Sequence, residues 1–517
     1  MRLITRRRAL GGIAASLAAP VVLAPGVLRA AARPTVTDGV MSGDVTGDEA
    51  TVWSRADRPA RMLVEWSTTE SFRDAHRVQG ATARADNDFT ATAMLAGLPA
   101  GQTIFYRVRF EAIDGGGTSD FAVGRVRTPR ASGISFVFGG DQCGAGWGIN
   151  PDWGGLRLYE TMLRADPDFL VHLGDRIYSD DVLAKTVTLP DGSIWRNVVT
   201  PAKAKAASTL DDYRGNYRYN LLDDHVRRFN ASVPQLVTWD DHEVTNDWWP
   251  GRVIGAERAR SLGYDTRDAD RLAARGRKAF FEYTPVGPDA SRAQRIWRSI
   301  PYGPLVEVFL LDERSHRSPN RLAGQGRMAG DARLLGDEQI AWLKAALLRS
   351  TALWKVIASP LPLAHYNPAD TERADFDKFA DGAGALPVGR ETEAAGILAL
   401  IRQNAIRNTV WIAADVHYAA ANEFHPDRAA FKTFTPFWEF IAGPFHTRPG
   451  SPRALDPTFG PKRHYVSTQG MKGNPPPSAG WINFGHVTID GASGAMTVAF
   501  RNLAGQAMWQ TTIEAER

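Results

Sequence analysis

The rhythm of hydrophobic positions changes once along this chain, near residue 130. Between residues 34 and 130 apolar side chains alternate with polar ones in short runs, at 50–54, 62–66, 89–93 and 105–109, with turn residues between them. Alternation with period two puts one side of each run against a core, so these runs predict strands. Asp114, Gly115, Gly116 and Gly117 supply a hairpin turn into a further strand over 119–127. Regular short strands with no convincing helix predict a β-sandwich, whose content is scaffold rather than ligand-type side chains.

From Ile134 the runs become continuously apolar and are separated by helical spacing. Residues 134–138 predict a buried strand, 156–165 a helix with Leu156, Tyr159, Met162 and Leu163 on its apolar face, and 168–173 a second buried strand. This is a βαβ unit with an acid just past each strand, Asp141 and Asp175. Residues 211–229 predict helices over the site, and 268–283 a basic amphipathic helix with a solvated charged face. Strands follow at 305–311, 354–358 and 410–414, with helices at 338–349 and 391–404. Strands at 438–441 and 484–489 and a hairpin over 495–514 close the chain. The expected class is α+β/α/β in two domains, a β-sandwich over 34–130 and an α/β domain over 134–517.

A length of 517 residues, with 44% hydrophobic and 23% charged, supports two domains and a large core. The net charge of +4 is small and no dense Lys/Arg run occurs, so nucleic acid is not indicated as a partner. A single cysteine, Cys143, excludes an intrachain disulfide. Residues 1–32 combine Thr5-Arg6-Arg7-Arg8, an uncharged stretch interrupted by Gly11, Gly12, Pro20, Pro25 and Gly26, and Ala30-Ala31-Ala32. That pattern predicts an export signal cleaved after Ala32. Its arginine pair resembles a twin-arginine signal, which implies the twin-arginine translocase as a partner and a periplasmic or extracellular destination. No later segment approaches about 20 uninterrupted apolar residues, so no membrane span is predicted; a monomer is expected.

The strand ends gather the chemistry: Asp141, Asp175, Tyr178, Asp241, His242, Asp415 and His417. One aspartate past a strand is ordinarily a turn or cap residue. Four separate stretches offering acid, phenol or imidazole at the same kind of position are not explained that way. Hard oxygen donors with few imidazoles favour trivalent iron, calcium, manganese or magnesium over a thiolate zinc site. Two metals sharing a carboxylate would hold the oxygens of a phosphate ester, lower a water pKa toward ~7 and stabilise an in-line displacement. His242 suits proton donation to the phosphoryl or leaving oxygen better than ligation, because adjacent Asp241 takes the metal position. Arg314 suits the substrate phosphate through its fork, or an ion pair with a neighbouring acid. Asn246 suits metal or phosphate, or an Asx turn. His365, His446 and His464 stand in loops of the same region, and His172 reads as a satisfied core residue. Trp147, Trp153, Trp248 and Trp249 suit a substrate mouth or plain loop packing.

Gly174-Asp175-Arg176-Ile177-Tyr178, Asp240-Asp241-His242-Glu243 and Asp415-Val416-His417, in this order, resemble the motif series of calcineurin-like metallophosphoesterases. Trp239 before the second motif and Leu311-Asp312-Glu313-Arg314 narrow the resemblance to the PhoD-type alkaline phosphatases. Residues 95–103, leading into Tyr106, look like the corner of a fibronectin type III-like domain. The resemblance covers nearly the whole mature chain and implies a fibronectin type III-like β-sandwich followed by a four-layer α/β/β/α metallophosphoesterase domain. It implies a secreted phosphoric monoester hydrolase whose bimetallic site supplies a metal-bound hydroxide. A phosphodiesterase or phospholipase D-like enzyme is the variant within that class, and a non-catalytic surface-binding protein the competing class.

Carried over residue by residue, the resemblance implies Asp175 as the bridging ligand, with Tyr178 and His417 on Fe(3+). Asp241 and Asp415 give the second metal an oxygen-rich shell of the kind associated with Ca(2+), with Mn(2+) or Mg(2+) as alternatives. The family commonly places a metal-binding cysteine directly before glutamine in its first motif. Here Asp141 precedes Gln142 and Cys143 follows it, so Asp141 is taken as the ligand, with Cys143 as the alternative.

Overall fold

The computed structural model describes residues 33–320, 331–366 and 377–516. The export signal read over 1–32 lies outside them. Seven strands come first: β1 (Val36–Gly43), β2 (Ala50–Ala56), β3 (Ala60–Ser67), β4 (His76–Ala83), β5 (Thr90–Leu95), β6 (Thr103–Ala112) and β7 (Ala122–Arg127). β6 shows why the alternating runs form strands, since buried and half-buried positions alternate along its whole length. β4, β3, β6 and β7 make one antiparallel sheet, while β1, β2 and β5 pair antiparallel in a separate group. That group does not stand alone. Gly43 of β1 pairs in parallel with Gln235, so its three strands continue a sheet of the region beyond residue 130. The change of rhythm at residue 130 is therefore not a break in the hydrogen-bonded sheet.

The second region opens with β8 (Gly133–Gly139), α1 (Leu158–Arg164), β9 (Phe169–Leu173), the hairpin β10 (Thr186–Thr188) and β11 (Ile194–Arg196), α2 (Leu210–Asn220), α3 (Asp224–Ser232) and β12 (Gln235–Thr238). Then come α4 (Ala256–Leu262), α5 (Ala269–Tyr283), α6 (Pro288–Arg292), β13 (Arg298–Tyr302), β14 (Val306–Leu310), α7 (Asp337–Arg349), β15 (Trp354–Ala358), β16 (His365–Tyr366), α8 (Glu391–Gln403) and β17 (Thr409–Ala413). β18 (Ala420–Phe424), β19 (Phe437–Ile441), β20 (Ala454–Leu455), β21 (Pro461–Val466), β22 (Asn483–Asp490), β23 (Met496–Asn502) and β24 (Ala507–Ile513) complete it. Helix ends follow local chemistry. Asp268 caps α5 by accepting the Asp270 N–H, and α7 carries Asp337 and Glu338 in its first turn and Arg349 in its last, matching its dipole.

Two large sheets hold the region beyond residue 130. One runs β24-β23-β22-β8-β9-β12-β1-β2-β5, the other β13-β14-β15-β17-β19-β18-β21, and the central strands of each are parallel. Their apolar runs look continuous in sequence but still divide with period two. Phe136, Phe138, Val171 and Leu173 share one core with Val308, Leu310, Val356 and Ile412 of the other sheet. The alternate residues Val137, Leu170 and Val237 pack on Tyr159, Met162, Phe229 and Phe280 of the helices. On the second sheet Phe309, Ile357 and Trp411 pack on Leu343, Leu347, Ile397 and Leu398. Burial on both faces is what erases the polar half of the pattern.

Asp88, just before β5, joins the N-terminal strands to helices α2 and α5. Its carboxylate accepts from Arg55 of β2 at 3.0 Å and from Arg218 of α2 and Tyr283 of α5. Burial alone would raise its pKa, but Tyr283, Arg55 and Arg218 outweigh it and hold the carboxyl below its ordinary value. A depressed acid stabilises the fold above the unfolded pKa and loses that stabilisation as pH falls through the folded one. Asp88→Asn, which keeps the shape and tolerates the left-handed backbone at this position, is expected to cost about 2 kcal/mol at pH 7. In denaturant titrations that deficit should shrink as the pH falls below about 4.

Candidate functional site

The three parallel neighbours β8, β9 and β12 end side by side, and the turns beyond them carry Asp141, Asp175 and Asp241. From the second sheet, the turn after β17 carries Asp415 and His417. The backbone bends sharply at these positions: φ is +69° at Asp141, +52° at Asp175, +64° at Asp415 and +61° at His417. A left-handed conformation costs a non-glycine residue about 1–2 kcal/mol, so four in one place mean that the surrounding structure imposes the turns. Gly174 makes the tightest of them. Its φ is +98°, and a Cβ there would stand 2.5 Å from the Asp240 Cβ.

Ligand atoms of Asp141, Asp175 and His417 lie within 4.8 Å of one another, as do those of Asp175, Asp241 and His242. Asp175 belongs to both groups. Both carboxylate oxygens of Asp141 are buried without a hydrogen-bond partner among the described residues, and one lies 3.7 Å from His417 Nε2. Burial, followed by the neighbouring Asp415, pushes Asp141 well above the ordinary carboxylate range; burial does the same to Asp175. His417 donates from Nδ1 to the Arg448 carbonyl at 2.9 Å, which leaves the Nε2 lone pair facing the site. Burial lowers its pKa to about 3, so the ring is neutral and fit to bind a cation. Tyr178 donates to that Nε2 at 2.8 Å and stacks on His242 with ring centroids 4.2 Å apart. Burial, then the charges of Asp175 and Asp141, pushes its phenol well up. Orphaned carboxylate oxygens and a directed imidazole lone pair fit hard cations.

His242 is held from two sides. Its backbone N–H donates to Asp175 Oδ1 at 3.2 Å, and its Nδ1 lies 2.6 Å from Asp180 Oδ1. Burial would lower its pKa, but Asp180, Asp241 and Asp175 outweigh burial and keep the ring protonated. In return, and against its own burial, Asp180 is drawn down to about 2 by His242. Asp180 also accepts the Asn246 N–H at 2.8 Å. The fully buried Glu243 accepts four backbone N–H groups, from Asp240 (2.8 Å), Asp175 (3.0 Å), Arg176 (2.7 Å) and Ile177 (3.3 Å). It ties the turn after β9 to the turn after β12.

A cavity of about 450 Å³ opens over this cluster, lined by Asp175, His242, Asn246, Asp415, His417 and Arg448 among others. The structure brings Asp141, Asp175, Tyr178, Asp241, His242 and His417 together as the sequence implied. Asp415 lines the same cavity, but its carboxylate pairs with the Lys378 ammonium and does not join either ligand group. Arg314 differs from its expected role. It is 0% exposed, and its guanidinium is spent on Asp240 (2.5 Å) and Asp377 (2.7 and 3.1 Å), which leaves nothing for a substrate. The ion pair considered beside that role is what the fold uses it for.

Cys143 packs in the apolar core beneath the site, where burial pushes its thiol up. Cys143→Ala is therefore expected to cost about 1–2 kcal/mol of stability and to leave metal content unchanged, whereas Asp141→Ala should lower it. Elemental analysis of the two variants separates the candidates. His365 is buried between Tyr418 and Asn422, His446 donates to the Gly148 carbonyl at 3.0 Å, and His464 pairs with Glu423 at 3.1 Å; none lines the cavity. His172 lies in the core edge-on to Phe445, but neither ring nitrogen has a partner by hydrogen-bond geometry. Trp147 and Trp248 are buried, and Trp153 packs on Trp195, so these aromatics fill loops. The sequence reading passed over Asp180 and Glu243, although both stand in or beside the quoted motifs. It also missed Asp247 and Asp377, which lie within 4.8 Å of Asp241 and come from loops with no strand to announce them.

A model of the PhoD-like phosphatase family matches residues 136–500, and a model of the N-terminal domain of PhoD-like phosphatases matches residues 22–130. Alkaline phosphatase D of Bacillus subtilis (strain 168) is 25% identical over 423 residues, 76% of this chain; the chain spans 66% of the length of that relative. Among solved structures, PhoD aligns over 93% of this chain and 89% of its own, at 19% identity and a TM-score of 0.68. Purple acid phosphatase PPD1 from yellow lupin (Lupinus luteus) seeds aligns over 93% and 74%, at 14% identity and a TM-score of 0.58. These two likenesses establish a shared fold. No helix among the described residues is long and apolar enough to cross a membrane. A family match that begins within β8 and ends within β23 takes in every turn that forms the site, and the chain belongs to the PhoD-like phosphatase family.

Proposed function

We propose that this protein is a metal-dependent phosphoric ester hydrolase of the alkaline phosphatase type, acting first on monoesters. The observation that carries this reading is Asp175, common to a group with Asp141 and His417 and to a group with Asp241 and His242. A shared carboxylate is what two adjacent metals acting on one phosphoryl group require. Asp141, Tyr178 and His417 would hold Fe(3+), because a phenol kept protonated by burial and nearby carboxylates yields its proton only to a strong Lewis acid. Asp241 and Asp415, with Asp175 shared, would hold Ca(2+), or Mn(2+) or Mg(2+), once Lys378 gives way at Asp415. Such a pair, when bound, supplies charge to the phosphoryl oxygens and lowers the pKa of the water that attacks phosphorus in line.

The chain's own residues do the rest. With Nδ1 tied to Asp180, His242 holds its other proton on Nε2 beside the cavity, where a leaving oxygen can take it. Asn246, on the cavity wall, is fixed through its backbone to Asp180; one N–H of its side-chain amide donates to Asp247, and the other suits a phosphoryl oxygen. Residues 34–130 are read as the fibronectin type III-like β-sandwich and 134–517 as the four-layer α/β/β/α catalytic domain. Residues 1–32 are read as a twin-arginine signal that delivers a monomer to the periplasm or beyond. An assay of metal-replete protein on 4-nitrophenyl phosphate and bis(4-nitrophenyl) phosphate tests the function. Turnover of the monoester, abolished by chelation, is expected. A preference for the diester would move the reading to a phosphodiesterase, and inactivity on both would overturn it.

A further inference from the structure

We infer that Arg448 and Arg453 form a subsite for a second anionic group on the substrate, so that favoured esters carry a negative charge on the leaving alcohol. The inference rests on the phosphoesterase reading of the site. Both arginines line the cavity that contains Asp175 and His242. Three other cations near the site are buried against acids: Arg314 against Asp240 and Asp377, Arg317 against Asp377, and Lys378 against Asp415. Neither the Arg448 nor the Arg453 guanidinium has an ion pair or hydrogen bond among the described residues, and Arg448 is exposed to the cavity.

Their backbone, in contrast, is fastened at each step. The Arg448 carbonyl accepts from His417 Nδ1 at 2.9 Å, and the Gly450 N–H donates to the His417 carbonyl at 2.8 Å. Gly450 packs so closely that a Cβ there would stand 2.0 Å from the Val416 oxygen. The Arg453 N–H donates to the Tyr418 hydroxyl at 2.9 Å, and the next residue, Ala454, pairs with Tyr366 across β16 and β20. A rigid strap with two unspent guanidinium heads is preorganised to grip an anion. The planar fork of arginine matches a carboxylate or a phosphate. The scissile phosphoryl belongs at Asp175, and 450 Å³ leaves room beyond it for an alcohol bearing its own charge.

Two non-hydrolysable phosphonates test this without relying on turnover: 4-phosphonobutyrate, which bears the second anion, and butylphosphonate, which lacks it. Calorimetric titration of the metal-replete protein is expected to give a Kd about 10-fold lower for 4-phosphonobutyrate. In an Arg448→Ala/Arg453→Ala double variant that preference should fall to about 2-fold or less, and an Arg448→Lys/Arg453→Lys variant should keep part of it. Equal binding of the two ligands by the wild type, or an equal loss for both in the alanine variant, would overturn the inference. Turnover of 4-nitrophenyl phosphate, measured alongside, reports on the phosphoesterase reading separately. An inactive protein that still shows the arginine-dependent preference would retain the anion subsite and lose the proposed reaction.

Discussion

His242→Ala is expected to lower kcat on phosphate esters by about 10²–10⁴-fold, the usual contribution of a positioned acid or base. The imidazole sits within 4.8 Å of Asp175 and Asp241, faces the cavity, and is fixed at Nδ1 by Asp180. Three carboxylates keep it protonated above the ordinary histidine range even though burial works against that. The protonated ring is the working form, so activity should persist up to its raised pKa and fall as the pH rises through it. Asp180→Asn removes the nearest of those carboxylates while leaving a polar group at Nδ1. The alkaline limb of kcat should then move to lower pH, a displacement that simple loss of folding would not produce. Unchanged turnover in His242→Ala would remove the residue from the chemistry.

Glu243→Gln carries the second large effect, through position rather than contact. One carboxylate receives N–H groups from Asp175, Arg176, Ile177 and Asp240, and so fixes how far the turn bearing Asp175 stands from the turn bearing Asp241. The amide keeps one accepting oxygen and turns donors toward the remaining N–H groups. Each buried donor left unsatisfied costs about 1–3 kcal/mol. Loss of a residue that orients ligands typically weakens metal binding about 10–100-fold. Metal titration of the variant should show that loss, with activity restored in part by excess metal. A variant that binds metal as the wild type does would assign Glu243 to the fold alone.

Most of this site was legible because it lies at strand ends, where short motifs stay together in sequence. Two phrases carry Asp175, Tyr178, Asp241 and His242, while Asp141 and Cys143, two residues apart, part company in the fold: one enters a candidate ligand group and the other the core. The two roles open to Arg314 were not separable in the sequence, because a sequence shows a charge but not what has already neutralised it; Asp240 and Asp377 lie 74 and 63 residues away along the chain. Arg448 and Arg453 went unnoticed in a loop with no motif. Their significance comes from the partners they lack among the described residues. In the fold, long apolar strands and capped helices were readable. The edge strands β4, β13 and β21 were not, since β13 and β21 carry proline and all three carry charged or half-exposed positions where a core pattern would show. The continuation of β1 into the catalytic sheet rests on one parallel contact at Gly43, and nothing local in the sequence announces it.

Element-specific metal analysis of this protein as its own host makes it, beside an Asp175→Ala variant made the same way, tests the two-metal site most directly. The wild type should carry about two metal ions per chain, one of them iron, and the variant should lose both together because their shared carboxylate is gone. A wild-type chain without metal, or a variant that keeps its full complement, would contradict the site described here.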